Sequence, residues 1–158
     1  YVILFKKKKT LQTTKFKNLI NKEYSQKLNS IKNWKKLNQI CTEHRIKLNK
    51  IINKLKIKDN IAAYGASARS STLINFLNQN SKSIKKVFDL NPLKKGLFTP
   101  GTHIRIEEPI SKKIKNFNII LLLAWNFQDE IIKFLKKIKF RGKIIVPLPN
   151  IKLINLKK

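Results

Sequence analysis

Methionine is absent from this 158-residue sequence, cysteine occurs once, and eight acidic residues stand against 36 lysines and arginines. Each shortage excludes something. A chain that starts at Tyr1 and has no methionine carries no initiator of its own, so it reads as a piece of a longer polypeptide. A single cysteine, Cys41, cannot close an internal disulfide and fits a reducing compartment, which points to the cytoplasm. No apolar run approaches the roughly 20 residues needed to cross a bilayer, so no membrane partner is expected. The opening Tyr1–Phe5, followed by Lys6–Lys9, is too short and charged on the wrong side for a signal peptide. All four glycines and all five prolines fall between Gly65 and Pro149. Without breakers, everything before about residue 58 is expected to be long, uninterrupted helix, apart from a short strand at Tyr1–Phe5.

What is abundant is positive charge. The formal net charge of +28 suggests a surface for nucleic acid or another polyanion. The lysines, however, are spread along the whole chain without the interleaved aromatics of a base-stacking platform. Non-specific, salt-sensitive attraction to nucleic acid is therefore the expectation, and a dedicated basic binding module is the alternative.

Before residue 58, Leu19, Ile20, Tyr24, Leu28 and Ile31 recur at helical spacing. Trp34, Leu37, Cys41, His44, Leu48, Ile51 and Leu55 then alternate steps of three and four. Such a stripe is expected to pack on the domain that follows. Cys41 and His44 share it, but two potential ligands with no others nearby make no zinc site, and no metal is assigned to this chain.

The centre of the sequence is Ile61 to Phe76. A short apolar run ends at Tyr64, a turn of small residues follows Gly65, and Leu73, Ile74, Phe76 and Leu77 resume helical spacing. A strand passing through glycine into a helix leaves the first N–H groups of that helix open to an anion. Ser67, Ser70, Ser71 and Thr72 add hydroxyls, and Arg69 adds a cation suited to phosphate oxygens. Missing glycines exclude a nucleophile elbow, a P-loop and a dinucleotide fingerprint. The other possibility for this stretch is a tight turn that holds no ligand.

Strand and helix then alternate. Lys85–Asp89, Asn118–Ala124 and Lys143–Val146 read as strands, the last of these ending the sheet. A shorter strand at Ile104–Ile106 is allowed, and Asp129–Ile138 reads as an amphipathic helix. The expected fold is α/β, a Rossmann-like, mostly parallel sheet with flanking helices, preceded by long α-helices. Right-handed crossovers would place the loop after each strand on one rim, where ligands of such sheets bind. That rule selects Gly65, Ser67 and Arg69, then Asp89 and Asn91, then Thr99, Gly101, Thr102 and His103, then Trp125 and Asn126. An acid ending the second strand commonly bonds a ribose hydroxyl. Thr99–His103 reads as a rigid turn with Gly101 at positive φ, while Trp125 offers a stacking face or a cap on the core. No nucleophile is paired with a base here, so the chain by itself is expected to bind rather than to catalyse.

Four segments, in order, resemble the C-terminal domain of the S-adenosylmethionine-dependent sugar C-methyltransferases. They are Tyr64–Phe76; Asp89-Leu-Asn-Pro92 with Gly96 and Thr99–His103; Ala124–Ile131; and Gly142–Pro149. The resemblance implies methylation of a carbon next to the ketone of a nucleotide-linked keto-deoxysugar. It places the S-adenosylmethionine site, a zinc-binding domain and the catalytic residues upstream, with no cofactor in this chain, which would be inactive alone. Residues 1–10 would then be the last strand of the upstream methyltransferase domain, which becomes a partner. Residues 11–57 would be linker helices, 58–150 the sugar-nucleotide-binding domain and 151–158 a tail. By the same resemblance Ser67, Arg69, Asn91, Thr99, Thr102 and His103 hold diphosphate or sugar, His103 as an assisting group, with Asp89 at the nucleoside. The sequence departs from the family pattern at Ser70-Ser71, where Gly-Asn is usual, and at Ala124, where Pro is common.

Overall fold

A computed structural model of the chain describes residues 13–28, 30–56 and 60–156. The expected strand at Tyr1–Phe5 lies outside them. The chain divides into two units, one ending at Glu43 and the other starting at His44.

The first unit holds α1 (Thr14–Ser25) and the beginning of α2 (Ile31–Leu55). The expectation of uninterrupted helix is corrected here. Lys27 takes the left-handed conformation, φ 53°. The Asn33 side-chain amide donates to the carbonyls of Gln26 and Lys27, at 3.3 and 2.9 Å. The break needs no glycine or proline, because a side chain satisfies the carbonyls that the end of α1 leaves over. The apolar stripe is also corrected. Trp34, Leu37 and Ile40 are exposed, and of the whole of α2 only Leu48 and Ile52 are fully buried.

In the second unit six strands form one sheet in the order β3-β2-β1-β4-β5-β6. These are β1 (Ile61–Tyr64), β2 (Val87–Phe88), β3 (Ile106–Glu107), β4 (Ile119–Leu122), β5 (Lys143–Val146) and β6 (Lys152–Asn155). The first five are parallel and β6 is antiparallel to β5. This is the Rossmann-like α/β fold expected. The sheet does not end at Val146, however. Residues read as a tail turn back after Pro149 and supply the edge strand β6.

Alternation along β1 assigns the two faces. Ile61 and Ala63 join Leu73 and Ile74 of α3 (Ala68–Phe76) and Leu77 just after it, together with Leu48 and Ile52. Ala62 and Tyr64 point the other way, to Ile114 of α4 (Ser111–Ile114) and to Ile131 and Leu135 of α5 (Gln128–Lys137). β1 and β4 are buried along their full length, as strands covered on both sides must be. Beyond β3, residues 96–98 run back antiparallel to 104–106, with Ile106 N–H bonded to the Leu97 carbonyl at 2.8 Å. Glu107 receives Lys86 on one carboxylate oxygen and Lys113 on the other, the latter at 2.8 Å. That pair ties β3 to β2 and to α4.

Candidate functional site

β1 is flanked by β2 on one side and β4 on the other, so the chain reverses its direction of travel between β1 and β4. Crevices at that reversal, beyond the carboxyl ends of the strands, are where open α/β sheets take ligands. A cleft of about 440 Å³ lies here, within the range of small-molecule sites. Gly65, Ala66 and Ser67 line it from the end of β1, Asp89, Leu90 and Lys94 from beyond β2, and Ala124 and Phe127 from beyond β4. Glu130, Ile131 and Phe134 of α5 complete it.

Its floor depends on a close approach. Gly65 has φ 99°, and a Cβ placed on it would stand 2.6 Å from the Cβ of Ala124. Only glycine lets the two strand ends meet.

The turn after β1 is closed from within. Ser67 caps α3: its hydroxyl accepts from Ser70 N–H at 3.2 Å, and the Ser70 hydroxyl accepts from Ser67 N–H at 3.2 Å. Ser70 is therefore turned inward and buried, so it does not crowd an anion at the helix end. Ala66 N–H donates to Asp89 Oδ2 at 2.6 Å, and Asn91 N–H donates to Oδ1 at 2.9 Å. Lys94 Nζ reaches the Ala66 carbonyl at 2.9 Å and Asp89 Oδ2 at 3.4 Å. Helix geometry leaves the N–H groups of Ala68 and Arg69 pointing outward.

Tyr64 forms part of the apolar wall, its ring tilted against Phe134 at 6.2 Å. Burial, reinforced by the neighbouring Asp89 charge, pushes its phenol up to about 12. At neutral pH Tyr64 is thus a neutral hydroxyl, suited to hydrogen bonding and not to proton abstraction.

Of the residues selected from the sequence, Gly65, Ser67 and Asp89 line the cleft, and Asn91 is bonded to Asp89. Arg69 and Trp125 pair with one another, the guanidinium 5.9 Å from the ring centroid. Half-buried Trp125 also packs against both core layers, and Asn126 beside it is exposed. The turn at Thr99–His103 goes elsewhere. The Thr99 and Thr102 hydroxyls are buried and bonded to each other at 2.7 Å, and Thr99 Oγ1 also accepts from Ile104 N–H. Gly101, at φ 76°, lies against the side chain of Asn75, whose amide donates to the Pro100 carbonyl at 3.0 Å. Asn75 is eight residues beyond the Ser67 cap, about 12 Å along the helix axis. His103 is exposed at φ 50°, and no residue of this turn lines the cleft.

Lys94, Glu130 and the apolar wall were not selected from the sequence. Lys94 is one of 36 cations, and only the fold distinguishes it.

Over residues 1–149 the chain matches the profile of the C-methyltransferase C-terminal domain. The chain belongs to that family. The resemblance carried by the four segments thus holds at family level, and the family is one of methyltransferases. C-methyltransferase NovU of Streptomyces niveus is 33% identical over 96 residues, which are 60% of this chain and 23% of that protein. The match therefore spans about a quarter of the relative's length. A solved structure, UDP-D-quinovosamine 4-dehydrogenase from Vibrio fischeri, aligns with a TM-score of 0.44 and 21% identity over 62% of this chain and 94% of that one.

Among the described residues no three His, Cys, Asp or Glu side chains gather. Cys41 is exposed, and His44 Nε2 is buried without a partner. A second concavity runs along Arg45, Asn49, Lys50 and Asn78. Among the described residues no helix is long and apolar enough to cross a membrane.

Proposed function

We propose that this domain holds the nucleotide-linked keto-deoxysugar during S-adenosylmethionine-dependent C-methylation, with the cleft between β1 and β4 as its seat. The observation that carries this reading is the composition of one crevice. A cation at Lys94 and the open N–H groups of α3 stand beside an apolar wall of Leu90, Phe127, Ile131 and Phe134. A diphosphate suits the first part and a flat nucleoside the second. Arg69, exposed at the first turn of α3, adds a second cation for the phosphates.

S-adenosylmethionine supplies the methyl group as an electrophilic sulfonium, and we assign its site, the zinc domain and the catalytic base to regions outside this chain. The domain's own contribution is orientation, since attack on the methyl group requires the sugar carbon to be held in line. Lys94 is itself positioned by the Ala66 carbonyl and Asp89, so the charge meets the diphosphate already in place.

Calorimetry of a nucleotide sugar against the chain tests the proposal. Lys94→Ala and Arg69→Ala should each weaken binding by about 1.5 to 3 kcal/mol, the loss expected for a charge-assisted bond. Unchanged affinity in both variants would remove the basis of the assignment.

A further inference from the structure

We infer that Glu130 is the residue that reads the nucleoside half of the bound donor, an inference that rests on the sugar-nucleotide reading above. The acid expected in that role was Asp89, but its oxygens are already occupied. Oδ2 takes Ala66 N–H at 2.6 Å and Lys94 at 3.4 Å, and Oδ1 takes Asn91 N–H at 2.9 Å. Asp89 organises the cleft and has little acceptor capacity left for a ligand.

Exposed Glu130 lines the same cleft, and its carboxylate has no hydrogen bond or ion pair among the described residues, although the chain carries 36 cations. It projects from the first turn of α5, a helix fixed by buried Ile131 and Leu135. An acid there also complements the positive end of the helix. Asp129 already does so, and Asp129 does not line the cleft. The crevice therefore carries both signs of charge, Lys94 from beyond β2 and Glu130 from α5. Lys94 and the first turn of α3 attract phosphate, while Glu130 repels it and accepts only from N–H or O–H groups. A nucleoside diphosphate meets both demands in one orientation, with its diphosphate at Lys94 and its uncharged nucleoside along Leu90 and Phe127. A ring N–H, an exocyclic amine or a ribose hydroxyl then donates to Glu130.

The test is a titration of the whole 158-residue chain with inorganic pyrophosphate and with ADP, CDP, GDP, UDP and dTDP. Glu130→Gln keeps the shape and removes the charge, and should weaken the tightest nucleotide about tenfold or more. Pyrophosphate affinity should be unchanged or improved by the same substitution. Glu130→Asp, which keeps the charge on a shorter arm, should also lose nucleotide affinity. If ring donors are read, the differences among the five nucleotides shrink in Glu130→Gln. If ribose hydroxyls are read, the four ribonucleotides weaken alike and a 2′,3′-dideoxy analogue ignores the substitution. Nucleotide binding that survives Glu130→Gln but fails in Lys94→Ala overturns this inference alone, and so does equal loss of nucleotide and pyrophosphate. A wild-type chain that binds no nucleotide overturns both readings.

Discussion

Glu107 takes an ammonium group on each carboxylate oxygen in a site where its side chain is only 11% exposed. The bond from Lys113, then that from Lys86, holds its carboxyl below the ordinary value of 4.5 in spite of burial. A carboxylate with a lowered folded value stabilises the native state above its unfolded value, and that contribution disappears as pH falls through the folded one. Stability measured by urea should therefore decline on acidification below about pH 4.5, where unfolded carboxylates take up protons. Glu107→Gln should cost about 1 to 2 kcal/mol at pH 7 and flatten the Glu107 part of that decline. Equal acid sensitivity of wild type and variant would show that the two lysines do not hold this charge in solution. Residue-scale chemistry was the least legible in the sequence. Thr99 and Thr102 are the types a ligand would need, yet a turn bonding its own hydroxyls uses the same types. Glu130 is hard to single out in the sequence because a first-turn acid already has a sufficient reason in the helix dipole.

At the scale of elements, α2 has an exposed beginning and an anchored end. Leu48 and Ile52 are completely buried, whereas Trp34 is 59% exposed. Leu48→Ala should cost about 2 to 5 kcal/mol through the cavity it leaves. Trp34→Ala should change the stability of this chain by less than about 0.5 kcal/mol. Denaturant midpoints for the two variants check both values, and a large loss at Trp34 would mean that the stripe is covered in solution. Periodicity identified that face correctly, because spacing records which residues share a side of a helix. It carries no information on which turns have a neighbour. The parallel strands were legible because β1 and β4 are apolar throughout, the mark of burial on both faces. β6 was missed because Pro147 and Pro149 look like an end, and because an edge strand shows little alternation when mostly exposed. The break after α1 was invisible for another reason. A lysine at positive φ and an asparagine reaching back to two carbonyls leave no breaker in the sequence.

At the scale of the whole molecule the charge of +28 sets the background for any anion. Beyond Glu130 the chain contains no acidic residue, while Lys136, Lys139 and Arg141 are exposed. Association with single-stranded RNA should weaken tenfold or more between about 50 and 200 mM salt, as counterion release requires. It should be indifferent to Lys94→Ala. Nucleotide-sugar binding should show the opposite pattern, with a modest salt slope and a strong dependence on Lys94. Filter binding and calorimetry across a salt series separate the two, and parallel slopes would favour the polyanion-binding module over a specific cleft.

The contact between Gly65 and Ala124 links two positions 59 residues apart in the chain. Recombining this domain with a relative is therefore constrained at that one joint. A crossover placed between them unites parents that settled the spacing separately, and a side chain inherited in place of Gly65 would wedge the crevice open. Grafts that carry both positions from one parent keep the seam intact, so substrate-swapping libraries should treat the pair as a single inherited unit.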